Sequence, residues 1–277
     1  MNSRERLLMA LNHQEADCVP LDLGSTQVTG IHVVAYRRLR EALGLAPDDL
    51  GLCDSIQQLA LPGDDLIGRL GVDVRGLFPR NSHNWNIQEE DCGESWCYTD
   101  EWGITHRRPK PDGLYYSIVQ VPLPGPGVTV DDIERHTWPD MGDAQRIAGL
   151  GDLAAGYRAG GYGVVLKSPF AGLFEMAQRI VGMESCLIMM ASDERLAETL
   201  FEKMLQLKLD FWEMALPRLA DSVDVVAEFD DYGTQVSQLI SPRMFRQQLK
   251  PRLRTLFARI KELAPGAKLF FHSCGNV

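Results

Sequence analysis

The sequence lacks an uninterrupted run of about 18 apolar residues and a signal-peptide-like N-terminus, so it predicts a cytoplasmic protein with no membrane partner. Basic residues are in the minority, with 28 Lys and Arg against 38 Asp and Glu, which gives a net charge of −10. A sequence-independent nucleic-acid binder needs a clustered basic surface, so this class is excluded. The 6 cysteines have no secreted-scaffold spacing and are expected to be reduced, most of them buried and a minority available as metal ligands.

What is present is an alternation of short apolar runs with helical patterns, which indicates parallel βαβ units. The helical patterns cover 3–13 (with Ser3 as N-cap), 30–43, 64–70, 170–190, 193–219 (one long helix or two short ones) and 241–263. Five strands are predicted, at 19–23, 72–77, 163–167, 223–229 and 268–274. A closed (β/α)8 barrel needs eight strands. The pattern therefore fits either an open sheet or a barrel that the chain does not complete.

Residues 79–127 depart from this alternation of strand and helix patterns. Aromatic and β-branched residues flank the turn signal Pro111-Asp112-Gly113, which predicts an antiparallel hairpin inserted over one end of the main domain. Cys92 and Cys97 lie in this insertion with four residues between them. That spacing is wider than in a usual zinc knuckle, so a structural role is favoured for both.

The end of the last predicted strand carries His272 and Cys274. Side chains alternate along a strand, so these two point to the same face, at the strand end where catalytic groups gather in α/β barrels. Imidazole and thiolate are both zinc ligands. A buried histidine and a buried thiol are the alternative.

A catalytic zinc needs a third protein ligand, and three acids follow or end the preceding strand: Glu228, Asp230 and Asp231. They are candidate catalytic residues, and the alternative is a solvated turn that caps backbone amides. Asp22, Arg75 and Lys167 are polar residues within predicted strands and candidate substrate-binding residues. Arg75 and Lys167 would bind an anionic group or pair with acids.

Several motifs occur in order along the whole chain. They are the opening Ser3-Arg4-Glu5-Arg6, the segment from Asn12 to Pro20, Asp100-Glu101-Trp102-Gly103, the stretch from Asp230 to Gln235 and on through Ile240-Ser241-Pro242, and the terminal His272-Ser273-Cys274-Gly275. Together these motifs resemble the uroporphyrinogen decarboxylase superfamily.

The resemblance implies one (β/α)8 barrel domain over residues 1–277, incomplete at its C-terminus and with the hairpin inserted at 79–127. Authentic decarboxylases carry an arginine-rich segment near the start, whereas residues 20–26 contain no arginine. The His-x-Cys motif resembles instead the cobamide-dependent methyltransferase branch. In that branch a second cysteine follows well downstream, so the third ligand is expected beyond Val277.

The function implied is zinc-dependent methyl transfer between a small methylated compound or a thiol and a corrinoid, either free cobamide or a corrinoid protein. Asp230 or Asp231 would orient a ligand histidine or occupy the open coordination position. Decarboxylation of a tetrapyrrole and a non-catalytic fragment are the alternatives. An incomplete barrel exposes apolar surface, which would favour homo-oligomers.

Overall fold

In a computed structural model, which describes residues 1–47, 51–125 and 127–277, a parallel sheet of four strands forms the centre of the fold. Its order is β11-β10-β9-β4. The strands are β4 (Val74–Leu77), β9 (Gly163–Lys167), β10 (Val225–Phe229) and β11 (Lys268–His272). The predicted parallel α/β class is therefore confirmed. In the described part of the chain the sheet is open, because β4 and β11 are its two edges.

Helices cover one face of this sheet, which we call the outer face. The α-helices of the described residues are α1 (Ser3–Leu11), α2 (Val33–Ala42), α3 (Asp64–Leu70), α4 (Val130–Arg135), α5 (Leu150–Ala159), α6 (Leu173–Val181), α7 (Met183–Ser192), α8 (Glu194–Leu219), α9 (Pro242–Met244) and α10 (Lys250–Leu263). A π-helical segment, Phe245–Leu249, joins the last two. The largest apolar cluster lies between the outer face and helices α4 to α8 and α10, and the buried α8 supplies much of it.

The opposite, inner face carries a smaller cluster of strand side chains, namely Val74, Val165, Val225, Ala227 and Phe229, with Leu7 of α1 packed against it. Because side chains alternate along a strand, residues two apart share a face. The register pairs Lys167 with Ala227 and Phe229 with His272, so Lys167 and His272 belong to the inner face. The alternate positions, among them Glu228 and Arg75, belong to the outer face.

Two antiparallel sheets lie outside the parallel one. The larger has the order β5-β6-β7-β8, with β5 (Glu90–Asp91), β6 (Ser95–Thr99), β7 (Thr105–Pro109) and β8 (Ser117–Gln120). It occupies the region predicted to hold a hairpin, and its β7–β8 connection contains the predicted turn. The smaller sheet has the order β1-β3-β2, with β1 (Ile31–His32), β2 (Leu52–Asp54) and β3 (Leu59–Ala60).

The strand predicted at 19–23 was wrong. Val19 is 89% exposed, and the Leu21 amide donates to a carboxylate oxygen of Asp73 rather than to a strand partner. The amide donates to a side chain instead of to the backbone of a neighbouring strand, so strand pairing does not form at this amide. The predicted N-cap Ser3 was also wrong by one residue, because Asn2 caps α1 in a capping box with Glu5.

The helix predicted at 193–219 is a single one, α8, and the region at 170–190 contains α6 and α7 separated by Gly182. Among the described residues, no helix combines the length and apolar character needed to cross a membrane.

Candidate metal centre

Asp231, His272 and Cys274 meet at the carboxyl edge of the parallel sheet. Asp231 follows β10, His272 ends β11, and Cys274 comes two residues later. The Nε2 atom of His272 lies 3.2 Å from the Cys274 Sγ atom and 4.0 Å from the Asp231 Oδ1 atom. One ligand atom from each residue falls within 4.8 Å of the others. We call these three residues the metal cluster.

Backbone contacts hold the two loops of the metal cluster together. The Cys274 amide donates to Asp231 Oδ1 at 2.7 Å, and the Tyr232 amide donates to Ser273 Oγ at 3.1 Å. The Asp230 amide donates to the His272 carbonyl at 2.9 Å, which extends the β10–β11 pairing up to the cluster. The rigid ends of two adjacent strands therefore position all three side chains.

The electrostatics of the cluster suit a cation. Partial burial, and then the charge of Asp231 and its hydrogen bond, raise the pKa of the Cys274 thiol. A cation bonded to both side chains would reverse this effect, since it offsets the carboxylate charge and stabilises the thiolate. Carboxylate, imidazole and thiolate are all zinc ligands, and three protein ligands leave the open position of a catalytic zinc site. The donor set therefore fits zinc.

The metal cluster lines a cavity of about 440 Å³ between the inner face and the larger antiparallel sheet. Its aromatic lining consists of Trp85, Tyr98, Trp102, Phe170 and Phe229. The other charged residues that line it are Asp54, Asp100, Glu101, Lys167, Glu175 and Arg179. Of these acids, Glu101 pairs with Arg146 at 2.6 Å and Glu175 with Arg179 at 2.5 Å.

Lys167, a predicted substrate-binding residue, does line this cavity. Burial lowers the pKa of its ammonium group, and its Nζ atom lies 5.7 Å from the centre of the Phe78 ring. Within the part of the chain that the structure describes, it forms no ion pair. The charge of Asp54, in the same cavity wall, opposes this lowering. A half-buried cation outside ion-pair distance of the described acids can bind an anionic group of a ligand.

Arg75 and Asp22 are not brought to this cavity. Arg75 is 4% exposed on the outer face, stacks at 3.7 Å on the Tyr162 ring and donates to the Val72 and Val74 carbonyls. Asp22 accepts from the Ser25 backbone and hydroxyl, and burial raises the pKa of its carboxyl. Both side chains are held by their own surroundings rather than presented to the metal cluster.

Glu228 is also turned away from the metal cluster. It lies on the outer face, where it accepts from Lys208 Nζ at 2.7 Å and from Trp212 Nε1 at 2.6 Å. The alternation of side chains along β10 is the physical reason, because Glu228 is one residue out of phase with Ala227 and Phe229. Its place is a buried ion pair rather than a catalytic site.

Asp230 has a supporting position beside the metal cluster. Its carboxylate accepts from the Phe174 and Glu175 amides, at 3.0 and 2.9 Å, and from the Tyr232 hydroxyl at 2.8 Å. The first turn of α6 leaves amides without intrahelical partners, and Asp230 satisfies two of them. Burial raises its pKa to about 7, against the lowering effect of these hydrogen bonds. Of the three predicted acids, only Asp231 offers an atom to the metal cluster.

Sequence reasoning missed a buried lysine that supports the cavity wall through hydrogen bonds. Lys208 donates to Ser168 Oγ and, at 2.9 Å, to the Phe170 carbonyl, and Ser168 and Phe170 both line the cavity. One signal was available. Lys208 occurs among apolar residues at helical spacing in α8, where a charged residue requires a buried partner.

The fold and the cluster together define a class of protein: a parallel α/β protein with a candidate three-ligand metal site at the carboxyl edge of its sheet. The family model described as Uroporphyrinogen decarboxylase (URO-D) matches residues 121–277, which is more than half of the chain. The chain therefore belongs to the uroporphyrinogen decarboxylase family.

Among solved structures, a methyltransferase from Methanosarcina mazei is similar, with a TM-score of 0.53 and 18% sequence identity. The alignment covers 100% of this chain and 71% of that chain. This likeness concerns the fold. The search of curated proteins returned no match to the sequence.

Proposed function

We propose that this chain is a zinc-dependent methyltransferase of the uroporphyrinogen decarboxylase family, which transfers a methyl group between a small methylated compound or a thiol and a corrinoid. The observation that carries the proposal is the metal cluster, a carboxylate, an imidazole and a thiol within 4.8 Å of one another on the wall of a cavity. We further propose that the four-stranded parallel sheet is an arc of a (β/α)8 barrel, since the active sites of such barrels lie at the carboxyl ends of the strands.

Zinc held by Asp231, His272 and Cys274 would act as a Lewis acid, which favours the thiolate of a thiol substrate or polarises the heteroatom that carries the methyl group. The protein's own residues would do the rest. Lys167 would bind an anionic group of the substrate, and the aromatic lining, with Trp85 and Phe170, would exclude water. The methyl carrier would be free cobamide or a corrinoid protein, which meets the substrate at this cavity.

The cavity also bears on the alternative of tetrapyrrole decarboxylation. That reaction needs several cations to bind substrate carboxylates, and Arg75 is committed to the outer face. Of the two cations in the cavity wall, Arg179 is paired with Glu175, which leaves Lys167. One unpaired cation supports methyl transfer over decarboxylation.

The first experiment is to measure zinc by elemental analysis in the purified chain and its variants. We expect about one zinc per chain, and His272→Ala or Cys274→Ser should reduce it to near zero because each removes a direct ligand. Cys92→Ser is the matched control, since it removes an exposed thiol outside the metal cluster and should leave the zinc content unchanged. Full zinc in both ligand variants would refute the metal site.

A second assay tests the reaction separately. The zinc-loaded chain is mixed with methylcobalamin and 2-mercaptoethanol, and demethylation of the corrinoid is followed by its absorbance. Transfer that disappears in His272→Ala supports the proposal. A chain that binds zinc but leaves methylcobalamin intact, and instead decarboxylates uroporphyrinogen, would favour the alternative reaction. No turnover of either compound would favour a non-catalytic protein.

A further inference from the structure

Two cysteines lie near each other at one edge of the larger antiparallel sheet. The pairing of β5 with β6 aligns Glu90 with Cys97, and the Cys92 amide donates to the Ser95 carbonyl at 2.9 Å across the following turn. Cys92 and Cys97 are therefore diagonal neighbours on one face of the sheet. Among the neighbours that raise the pKa of the Cys92 thiol, Cys97 has the largest effect.

The two thiols differ in accessibility. Cys92 is exposed, whereas Cys97 is 8% exposed, and both line a cavity of about 510 Å³ on the side of the sheet. A small reagent in solution would therefore reach Cys92 first. Cys97 lies behind it, in the position of a resolving thiol.

The two cysteines lie close to the end of a segment that lines the metal-cluster cavity. Residues 78–89, between β4 and β5, contain no helix or strand, and Asn81, Trp85 and Ile87 of this segment line that cavity. At its far end the segment is attached to the sheet through β5, which has only two residues. A covalent bond from Cys92 to Cys97 would fasten this attachment.

We propose that Cys92 and Cys97 form a redox site, a reversible dithiol–disulfide pair that exchanges with low-molecular-weight disulfides and controls how firmly the segment 78–89 is held over the cavity. Diagonal neighbours in a sheet have Cα atoms about 7–8 Å apart. Most disulfides have separations of about 4.4–6.8 Å. The bond can therefore form only if the backbone moves to bring the two residues together. The resulting strained disulfide would be easily reduced, as regulatory disulfides are.

With glutathione disulfide as oxidant, the chemistry balances in two exchange steps. The Cys92 thiolate attacks one sulfur of glutathione disulfide, which forms a mixed disulfide and expels one glutathione thiolate. The Cys97 thiolate then attacks the Cys92 sulfur and expels the second. The two cysteines lose two electrons and two protons in total, and glutathione disulfide is reduced to two thiols. The neighbouring Cys97 thiol raises the pKa of Cys92, so exchange should accelerate as the pH rises.

Mass spectrometry of the whole chain after incubation with glutathione disulfide tests the pair. We expect the wild type to lose two hydrogens and to yield a peptide linking Cys92 to Cys97, which dithiothreitol reverses. Cys97→Ser should instead retain glutathione on Cys92, because the resolving thiol is missing. Cys18→Ser, which removes another exposed thiol, should behave as the wild type does. A wild type that retains glutathione on Cys92, or does not react, overturns the proposal.

Limited proteolysis tests the consequence. Cleavage within residues 78–89 should be about tenfold slower in the oxidised wild type than in the reduced one, because the cross-link suppresses local opening. Cys92→Ser should be cleaved at the reduced rate whether or not the oxidant is present. Equal cleavage of the oxidised and reduced wild type would overturn the proposed control of this segment. Neither experiment depends on zinc or on methyl transfer.

Discussion

Gly275, directly after the thiol of the metal cluster, allows the two cluster loops to approach each other. Its φ is +89°, and a Cβ placed there would lie 2.4–2.7 Å from backbone atoms of Gly233 and Thr234. Those atoms belong to the loop that carries Asp231, so a larger residue would push the loops apart. Only glycine satisfies both the dihedral angle and the close approach.

We therefore expect Gly275→Ala to move Cys274 away from His272 and to weaken zinc binding about 10–100-fold, which is the usual effect of disturbing the support of a metal ligand. Competition with a chromophoric chelator would measure it. Gly266→Ala is the matched control, since a Cβ at Gly266 meets nothing within 4 Å and Gly266 lies in the turn before β11. Equal affinities in the two variants would contradict this role of Gly275.

At the scale of elements, a buried ion pair connects α8 to β10. Lys208 of α8 and Glu228 of β10 have side chains that are 0% and 2% exposed, at 2.7 Å. The Lys208 ammonium also donates to Ser168 and to the Phe170 carbonyl, so it links the helix, the strand and the cavity wall. Taking two charges out of water is costly, and the hydrogen bonds of both partners offset that cost.

Lys208→Met should lower the free energy of unfolding by about 3–5 kcal/mol, because it leaves the Glu228 carboxylate buried without its cation. Urea unfolding followed by circular dichroism would measure the loss. The double variant Lys208→Met/Glu228→Gln should be more stable than the single one, since no buried charge remains unpaired. Lys203→Met, at a partly exposed position of the same helix, should change stability by less than about 0.5 kcal/mol. A double variant less stable than Lys208→Met would contradict this account.

At the scale of the whole molecule, the larger antiparallel sheet is attached to the rest of the chain by the turn between β6 and β7. Glu101 forms a two-pronged ion pair with Arg146, at 2.9 and 2.6 Å, and Arg146 is 1% exposed. Next to it, the Trp102 ring packs 4.8 Å from the Phe170 ring at the cavity wall. This attachment closes the cavity on the side opposite the parallel sheet.

Glu101→Gln should loosen the whole sheet, because the buried Arg146 guanidinium loses its counter-charge at a cost of about 3–5 kcal/mol. Hydrogen exchange followed by mass spectrometry would show it as faster exchange in β6 and β7, with β9 and β10 unchanged. Asp131→Asn, which breaks an exposed pair with Arg135 on α4, should leave exchange in both sheets as it was. Equal acceleration in the parallel sheet would mean that Glu101 acts on global stability rather than on this attachment.

The sequence by itself determined the elements whose signal is local. Apolar runs and helical spacing were sufficient for β4, β9, β10 and β11, because each pattern reports the burial of one segment. They also predicted helix at 193–219, but only the structure showed that it is the single long α8. The spacing of His272 and Cys274 predicted that both lie in one strand, on one face. The strand ends at His272, so Cys274 lies in the following loop, with its Sγ atom 3.2 Å from the His272 Nε2 atom. The strand predicted at 19–23 failed because a distant carboxylate, Asp73, takes the amide that a neighbouring strand would have paired.

Only the tertiary structure decided which acid joins that pair. The sequence pattern does not distinguish the three acids Glu228, Asp230 and Asp231. In the structure, the alternation along β10 directs Glu228 to the outer face, and Asp230 accepts from the first amides of α6. Asp231 is the acid that lies beside His272. The partners of Lys208 and Glu101 lie 20 and 45 residues away along the chain. A charged residue within an apolar pattern indicates that its side chain needs a buried partner. Which residue becomes that partner depends on how distant segments of the chain pack together.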